Sequence, residues 1–379
     1  MTPPPGPIYL DHNASTPVLP EVRDAMLPYL GEYFGNPSST HMYGQAMKAA
    51  VERAREQVAS LIDCAPREVY FTSGGTEANN LAIRGLAAAN PERRHIITTV
   101  IEHPATLAPC NGLEREGYRV DTLPVDETGR VDPGQLSRVV GPDTLLVTVA
   151  HANSETGSLQ SVGQLAKIAH EAGALMHADA AQSVGKIPVS VASEGQDLLS
   201  VAGHKLYAPQ GVGALYVRAG VNIEPLLTGA GHEGGLRPGT ENVASIVGLG
   251  RACAIAQRDL AVESQRLLQL RERLWRRLLE GVPGLALNGH AEFRLPNTLN
   301  VRFPGVSGNR LLEKCPSIAA STGSACHESG ESGSAVILAM GVDPVDAVGS
   351  VRLTMGRSNT EGDIDTAANA LIEAWRTLV

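Results

Sequence analysis

The fold turns on "TLLVTVAHANSETGSLQSVGQLAKIAHEAGALMHADA", residues 144–180. Its first part, residues 144–152, is mostly apolar and β-branched, and reads as a buried strand. "SVGQLAKIAHEAG" carries apolar residues at helical spacing and stops at Gly173, a helix terminator that tolerates the left-handed backbone. "ALMHADA" (174–180) is again a buried strand. A strand, a helix and a second strand in this order predict parallel pairing with a crossover.

The same alternation extends outward. The stretch that opens "SSTHMYGQAMKAAVERAREQVASLID" reads as a long amphipathic helix. "EVYFTS" (68–73) is a strand that ends in Gly74-Gly75, and "TEANNLAIRGLAAA" follows as a helix. "HIITTV" (95–100), "DLLSVAGHK" (197–205) and "GVGALYVR" (211–218) are further strands. Residues of about 20 to 220 thus predict an α/β domain built on a mostly parallel sheet. Near residue 250 the pattern changes to one long charged helix, "ACAIAQRDLAVESQRLLQLRERLWRRLLEGV". After it, "LPNTLNVRF" and "SVRLTMG" read as strands and "TEGDIDTAANALIEAWRTL" as a last helix. A smaller α+β unit is expected there, with the long helix bridging the two.

Bulk properties narrow the function. With 379 residues and 43% hydrophobic content, the chain can bury a large core in two domains or in one with an appendage. A net charge of −9 gives no basic footprint for nucleic acid. No apolar run approaches ~18 residues, so no membrane span is expected. The N-terminus lacks a basic region followed by a long apolar run, so a cytoplasmic location is expected. The five cysteines (Cys64, Cys110, Cys253, Cys315 and Cys326) are odd in number and widely spaced. They predict neither a disulfide framework nor a zinc ribbon, and most should be small core hydrophobes.

Ligands of open parallel sheets bind beyond the carboxyl ends of the strands. Four such ends carry polar residues. Gly75 and Thr76 lie where a strand turns into a helix; the free N–H groups there suit an anion, although the same residues also serve an ordinary tight turn. Asp179 ends an apolar strand, where a buried carboxylate needs a partner such as a protonated ring nitrogen, or else caps the next turn. Gln182 follows within reach of the same ligand. Lys205 is one of five lysines among 31 basic residues and sits in the uncharged run "SVAGHKLYAP". A desolvated lysine sheds its proton and becomes the amine that imine formation requires; the bland alternative is a snorkelling surface lysine. His204 adds a donor beside it. His103, after "HIITTV", can stack on a planar ring or relay protons, or simply pack. A phosphate cradle, a carboxylate for a ring nitrogen, an imine-forming lysine and a stacking imidazole are together the parts of a pyridoxal-phosphate site.

Nine motifs in order carry a resemblance to a known family: "YLDHNASTP" (9–17), "FGNPSSTH" (34–41), "FTSGGTEANNLAI" (71–83), "EHPA" (102–105), "HADAAQSVGK" (177–186), "GHKLYAPQGVGALYVR" (203–218), "RPGTEN" (237–242), "STGSACHE" (321–328) and "VRLTMGRSNTEGDID" (351–365). With them the chain resembles class-I, NifS/IscS-like cysteine desulfurases of the aminotransferase class V superfamily.

The resemblance implies pyridoxal-phosphate fold type I: a large domain (17–255) with a mostly parallel seven-stranded sheet, and a small α+β domain made of 1–16 and 256–379. It implies a covalent link of Lys205 to pyridoxal phosphate. Asp179 would hold the ring nitrogen, Gln182 the ring hydroxyl, and His103 would lie on the ring. Gly75, Thr76 and His204 would hold the phosphate. Thr240 would reach the other subunit's phosphate, hence a homodimer. Arg352 would bind the carboxylate of L-cysteine, and Cys326 would take its sulfur as a persulfide before an acceptor protein receives it.

The residues support the last role independently. "STGSACHESGESGS" (321–334) is rich in Gly and Ser and reads as a mobile loop, not as core, and His327 is positioned to support the Cys326 thiolate.

The chain also departs from the family. Ser154 stands where many members have an asparagine that contacts substrate, which leaves Asn153 or a water to substitute. Ala202 replaces a serine and removes one phosphate hydrogen bond, about 1 kcal/mol. The last helix ends at "IEAWRTLV", without the tail that docks an iron–sulfur scaffold in familiar members, which leaves the acceptor open. Three further readings remain: a selenocysteine lyase, an aminotransferase that needs no loop thiol, and a non-catalytic docking subunit of a sulfur relay.

Overall fold

The structure is a computed structural model that describes residues 6–322 and 333–379. Twelve strands occur among the described residues: β1 (Ile8–Tyr9), β2 (Val69–Thr72), β3 (His95–Thr99), β4 (Arg119–Leu123), β5 (Thr144–Ala150), β6 (Leu175–Asp179), β7 (Leu198–Ala202), β8 (Gly213–Val217), β9 (Ala286–Asn288), β10 (Thr298–Arg302), β11 (Ile318–Ala319) and β12 (Ser350–Thr354). Seven of them form the central sheet in the order β2-β8-β7-β6-β5-β3-β4. Only β8 runs against its neighbours. The expected strand–helix–strand unit is present as β5, the helix Val162–Glu171 and β6, with β5 and β6 parallel. Gly173, at φ +78°, follows that helix as its stop.

Helices cover both faces of the sheet. Ile83, Leu86 and Cys110 pack with Ile96, Leu146 and Leu215 on one side. Leu165, Ala166 and Ala169 pack with Ile97, Val147 and Met176 on the other. Successive residues of β3 and β5 point to opposite cores, which is why a strand buried on both faces reads as a continuous apolar run.

The long helix Val243–Gly281 has 39 residues, about 60 Å at ~1.5 Å per residue. Its first half joins a core with Val51, Val58 and Leu199 through Ile246, Leu249 and Cys253. Its second half joins another through Leu267, Leu270, Leu274 and Leu278, against Leu299, Val351, Leu353 and Leu371. That second core also holds Leu10, so the N-terminal segment starts there. Its sheet is the antiparallel β12-β10-β9, with the parallel pair β1-β11 beside it.

Candidate active site

Four neighbouring strands bring the polar ends together. Thr72 (β2), Gly213 (β8) and Ala202 (β7) are paired across the sheet, and Ser200 pairs with Asp179 of β6. Gly74 then leaves β2 at φ +147° and opens the helix Gly75–Asn80. A Cβ on Gly213 would lie 2.5 Å from the Val201 carbonyl oxygen and 2.7 Å from Gly74 Cα, so only glycine lets the turn close down on the sheet. A Cβ on Gly75 would press Ala202 Cβ at 3.2 Å. The result is a backbone cradle at a helix N-terminus, with Thr76 exposed beside it.

Asp179 is 7% exposed. One carboxylate oxygen accepts from Asn79 Nδ2 at 2.7 Å and the other from the Ala181 N–H at 3.0 Å. The carboxylate is thus fixed by two donors. Asn79 is buried and its own Oδ1 has no partner among the described residues. Sequence reasoning passed over Asn79, although it lies in the quoted 71–83 motif.

His103 caps the helix Pro104–Arg115: its Nδ1 accepts from the Ala105 N–H at 3.0 Å. The ring proton is therefore assigned to Nε2. Burial lowers the pKa of His103, Lys205 lowers it further and Asp179 opposes, so the imidazole stays neutral. Glu102 next to it is fully enclosed, and burial pushes its carboxyl up to about 8 while Thr99 donates to it at 2.7 Å.

Lys205 closes the short 3-10 turn Gly203–Lys205 after β7. Its Nζ donates to the Ala14 carbonyl at 2.9 Å and to the Asn13 carbonyl. Burial lowers its pKa to about 8; the Arg352 cation helps, and Asp179 and Asp11 oppose. Above pH 8 the amine is mostly uncharged, and below it each pH unit removes about nine-tenths of the reactive form. Covalent capture of pyridoxal phosphate by the apoprotein, followed by stopped-flow absorbance, should slow about tenfold per unit below pH 8 and level off above it. A midpoint near the ordinary lysine value would contradict this. His204 is held neutral by burial, then by Lys205, His103 and Lys186, with its pKa lowered to about 4.

The N-terminal segment supplies what the sequence did not announce. The Thr16 N–H and hydroxyl both donate to the His204 carbonyl at 2.9 Å. The Asn13 carbonyl accepts from Gln182 Nε2 at 3.0 Å. The Asn13 side chain reaches Thr298 Oγ1 at 2.9 Å and the Ser154 carbonyl at 3.2 Å. Residues 13–16 therefore tie the site to the second core.

Arg352 on β12 is 6% exposed. It donates to Asp11 Oδ1 at 2.8 Å and to the Ser154 carbonyl at 3.1 Å, while Nε is buried without a partner among the described residues. Ser154 thus meets Arg352 through its backbone. The Asn153 amide ties its own loop to the segment after β3, accepting from the Glu155 and Thr156 N–H groups and donating to the Ile101 carbonyl at 3.1 Å. Gln182 lies beside Lys205 on the shared Asn13 carbonyl.

Thr240 is exposed on the loop that enters the long helix. That loop is anchored by Glu233, which takes Arg55 in a two-pronged pair at 2.7 Å and the Phe71 N–H at 2.8 Å. Glu233→Ala would strand the nearly buried Arg55 and should cost about 3 kcal/mol, read as a lower urea midpoint; an unchanged midpoint would contradict the anchor. Cys326 and His327 lie outside the described residues. The other four cysteines are free, and burial raises each thiol's pKa, for Cys64, Cys110 and Cys253 to about 12.

The residues present fit pyridoxal phosphate: a glycine cradle for the phosphate, a fixed buried carboxylate, a neutral imidazole and a depressed lysine lie close together at the strand ends. Comparison with known proteins agrees. The chain is 44% identical to "Cysteine desulfurase IscS" of Dictyoglomus turgidum over 98% of its own length and 96% of the relative's. A solved "NifS-like protein" superposes with TM-score 0.92 and 37% identity, covering 98% of this chain and all of that one. The structure titled "SspA in complex with cysteine" gives TM-score 0.82 and 33% identity over 92% of this chain and 98% of that one. The aminotransferase class-V family profile matches residues 8–366, and the chain belongs to that family.

Proposed function

We propose that this protein is a pyridoxal-phosphate-dependent cysteine desulfurase, which converts L-cysteine to L-alanine and passes the sulfur to Cys326. One observation carries the reading best: Arg352, whose buried Nε has no partner among the described residues, stands near the depressed Lys205 and the fixed carboxylate Asp179. A carboxylate anchor next to a proton-accepting amine is what an α-amino acid requires.

When bound, the cofactor supplies an aldehyde that holds the substrate amine and a ring that accepts electrons. The chain's residues do the rest. The N–H groups at Gly75 and Thr76 hold the phosphate with His204, and Thr240 of a second copy completes the cradle. Asp179 holds the proton on the ring nitrogen, and Asn79 keeps that carboxylate in place. Gln182 addresses the ring hydroxyl. His103 covers the ring and keeps its own proton at Nε2. Arg352 grips the substrate carboxylate with the Ser154 carbonyl behind it. Asn153 shapes this loop. Lys205 Nζ takes the proton from the substrate Cα. The thiolate of Cys326 attacks the substrate sulfur: the Cβ–S bond breaks, an S–S bond forms, and alanine leaves. Cysteine plus thiol gives alanine plus persulfide, so no external oxidant is needed.

A division into residues 17–255 and 1–16 with 256–379 is supported by two separate cores, with Val22 in one and Leu10 in the other, although Ala256 still packs in the first core, just past that boundary. A homodimer accords with the exposed apolar side chains of Leu27, Leu30, Phe34 and Tyr43; sedimentation would measure it. No helix among the described residues is long and apolar enough to cross a membrane, and the free thiols suit a cytoplasmic setting. The acceptor must be a nucleophile able to attack a persulfide.

The test is release of alanine and protein-bound sulfur from L-cysteine in equal amounts by the holoenzyme. Turnover of selenocysteine with none of cysteine would move the assignment to a selenocysteine lyase. Inertness toward both, with an acceptor present, would favour a docking subunit.

A further inference from the structure

A second lysine stands at this site, and no step above uses it. Lys186 lies four residues after Gln182 and is 8% exposed. Its Nζ donates to Gln182 Oε1 at 2.8 Å and to Asn13 Oδ1 at 3.0 Å. Among the described residues no carboxylate forms an ion pair with it. Burial, with the Lys205 and Arg352 cations nearby, pushes its pKa well below the ordinary lysine range. An uncharged amine has just the two N–H groups that these contacts use, whereas an ammonium would bury a third donor and a charge.

Both acceptors matter to the site. The Asn13 carbonyl receives Lys205 Nζ and Gln182 Nε2 together. An amide is nearly symmetric in shape, so its orientation is set by its partners. Asn13 Oδ1 also accepts from Asn297 at 3.1 Å, which leaves that side chain a second support. Gln182 Oε1 is held by Lys186 alone among the described bonds.

We propose that Lys186 is a positioning residue: by donating to Gln182 Oε1 it keeps the NH2 end of Gln182 turned to the Lys205 side, where that end meets the ring oxygen of the bound cofactor. The inference rests on the reading of Gln182 given above.

The test is a double-mutant cycle on apoprotein, with pyridoxal phosphate as the probe. Its dissociation constant is measured by equilibrium dialysis, and the absorption spectrum of the bound form is recorded. K186M and Q182L should each weaken binding about fivefold to tenfold, the loss of one hydrogen bond between uncharged groups. The double variant should be no weaker than the worse single within about twofold, because both changes remove one device. The bound spectrum should shift the same way in both singles. Multiplying effects in the double variant, or a K186M protein that binds and absorbs as wild type while Q182L is weakened, would overturn the proposal. A Q182L protein that binds as wild type would instead overturn the reading of Gln182, and this inference with it. Circular dichroism checks folding; if K186M does not fold, K186L, which likewise carries no donor, repeats the cycle with the same expectation.

Discussion

Lys205→Ala is expected to lower L-cysteine turnover by at least about a thousandfold, since it removes both the amine that links the cofactor and the base that takes the Cα proton. The protein should still fold: the change exposes the Ala14 and Asn13 carbonyls to space that water can fill. The yellow of the linked cofactor should be lost or become washable. Lys205→Arg should be equally inactive, although it keeps the charge, because a guanidinium does not give up its proton near neutral pH. This separates the chemical role from the electrostatic one. Within the pocket, burial and Arg352 bring the amine to about 8, which no arginine can reproduce. Alanine formation from L-cysteine, measured by amino-acid analysis, decides it; a Lys205→Arg enzyme with a tenth of normal activity would contradict the role.

Cys326→Ser is the second large effect. Sulfur transfer should fall by about a hundredfold to a thousandfold, because a hydroxyl is far too weak an acid to supply the nucleophile that a thiolate supplies. The bound cofactor should be unaffected. No other described cysteine can substitute: Cys64, Cys110 and Cys253 are pushed up to about 12 by burial, and Cys315 is raised as well. Cys110→Ser and Cys253→Ser should therefore alter stability, not activity. An ordinary aminotransferase would not notice the loss of Cys326, so retained amino-acid turnover in Cys326→Ser would return the chain to that reading.

How much was legible beforehand depends on what each residue contributes. β5, fully buried, and β6, buried from Met176 onward, announce themselves as apolar runs. Asp179 and Lys205 stand out because a charge at the end of such a run needs a reason. β4 does not announce itself: as an edge strand it reads RVDTL, and its exposed and half-buried positions carry no strong pattern. The helix Pro104–Arg115 is hidden by Pro109 and Gly112, poor helix residues that tertiary packing overrides.

The site shows the same divide. Residues that act through a side chain of unusual type could be found. Ala14 and Ser154 act through backbone carbonyls, and Asn13 does so in part; any residue type supplies a carbonyl, so composition gives no signal. Asn79 and Lys186 sit inside motifs whose neighbours drew the reading; Asn79 acts on Asp179, 100 residues away, and Lys186 joins its near neighbour Gln182 to Asn13, 173 residues away. The Arg352–Asp11 pair joins β12 to the N-terminal segment, a pairing that spacing alone cannot foretell.

The central claim is that one particular amine of this chain carries the cofactor. Holoenzyme reduced with borohydride, digested and mapped by mass spectrometry tests it most directly, because two buried lysines share the site. The account predicts the reduced cofactor on the peptide containing Lys205, with Lys186 unmodified. A cofactor mass on Lys186, or on no lysine at all, would contradict it.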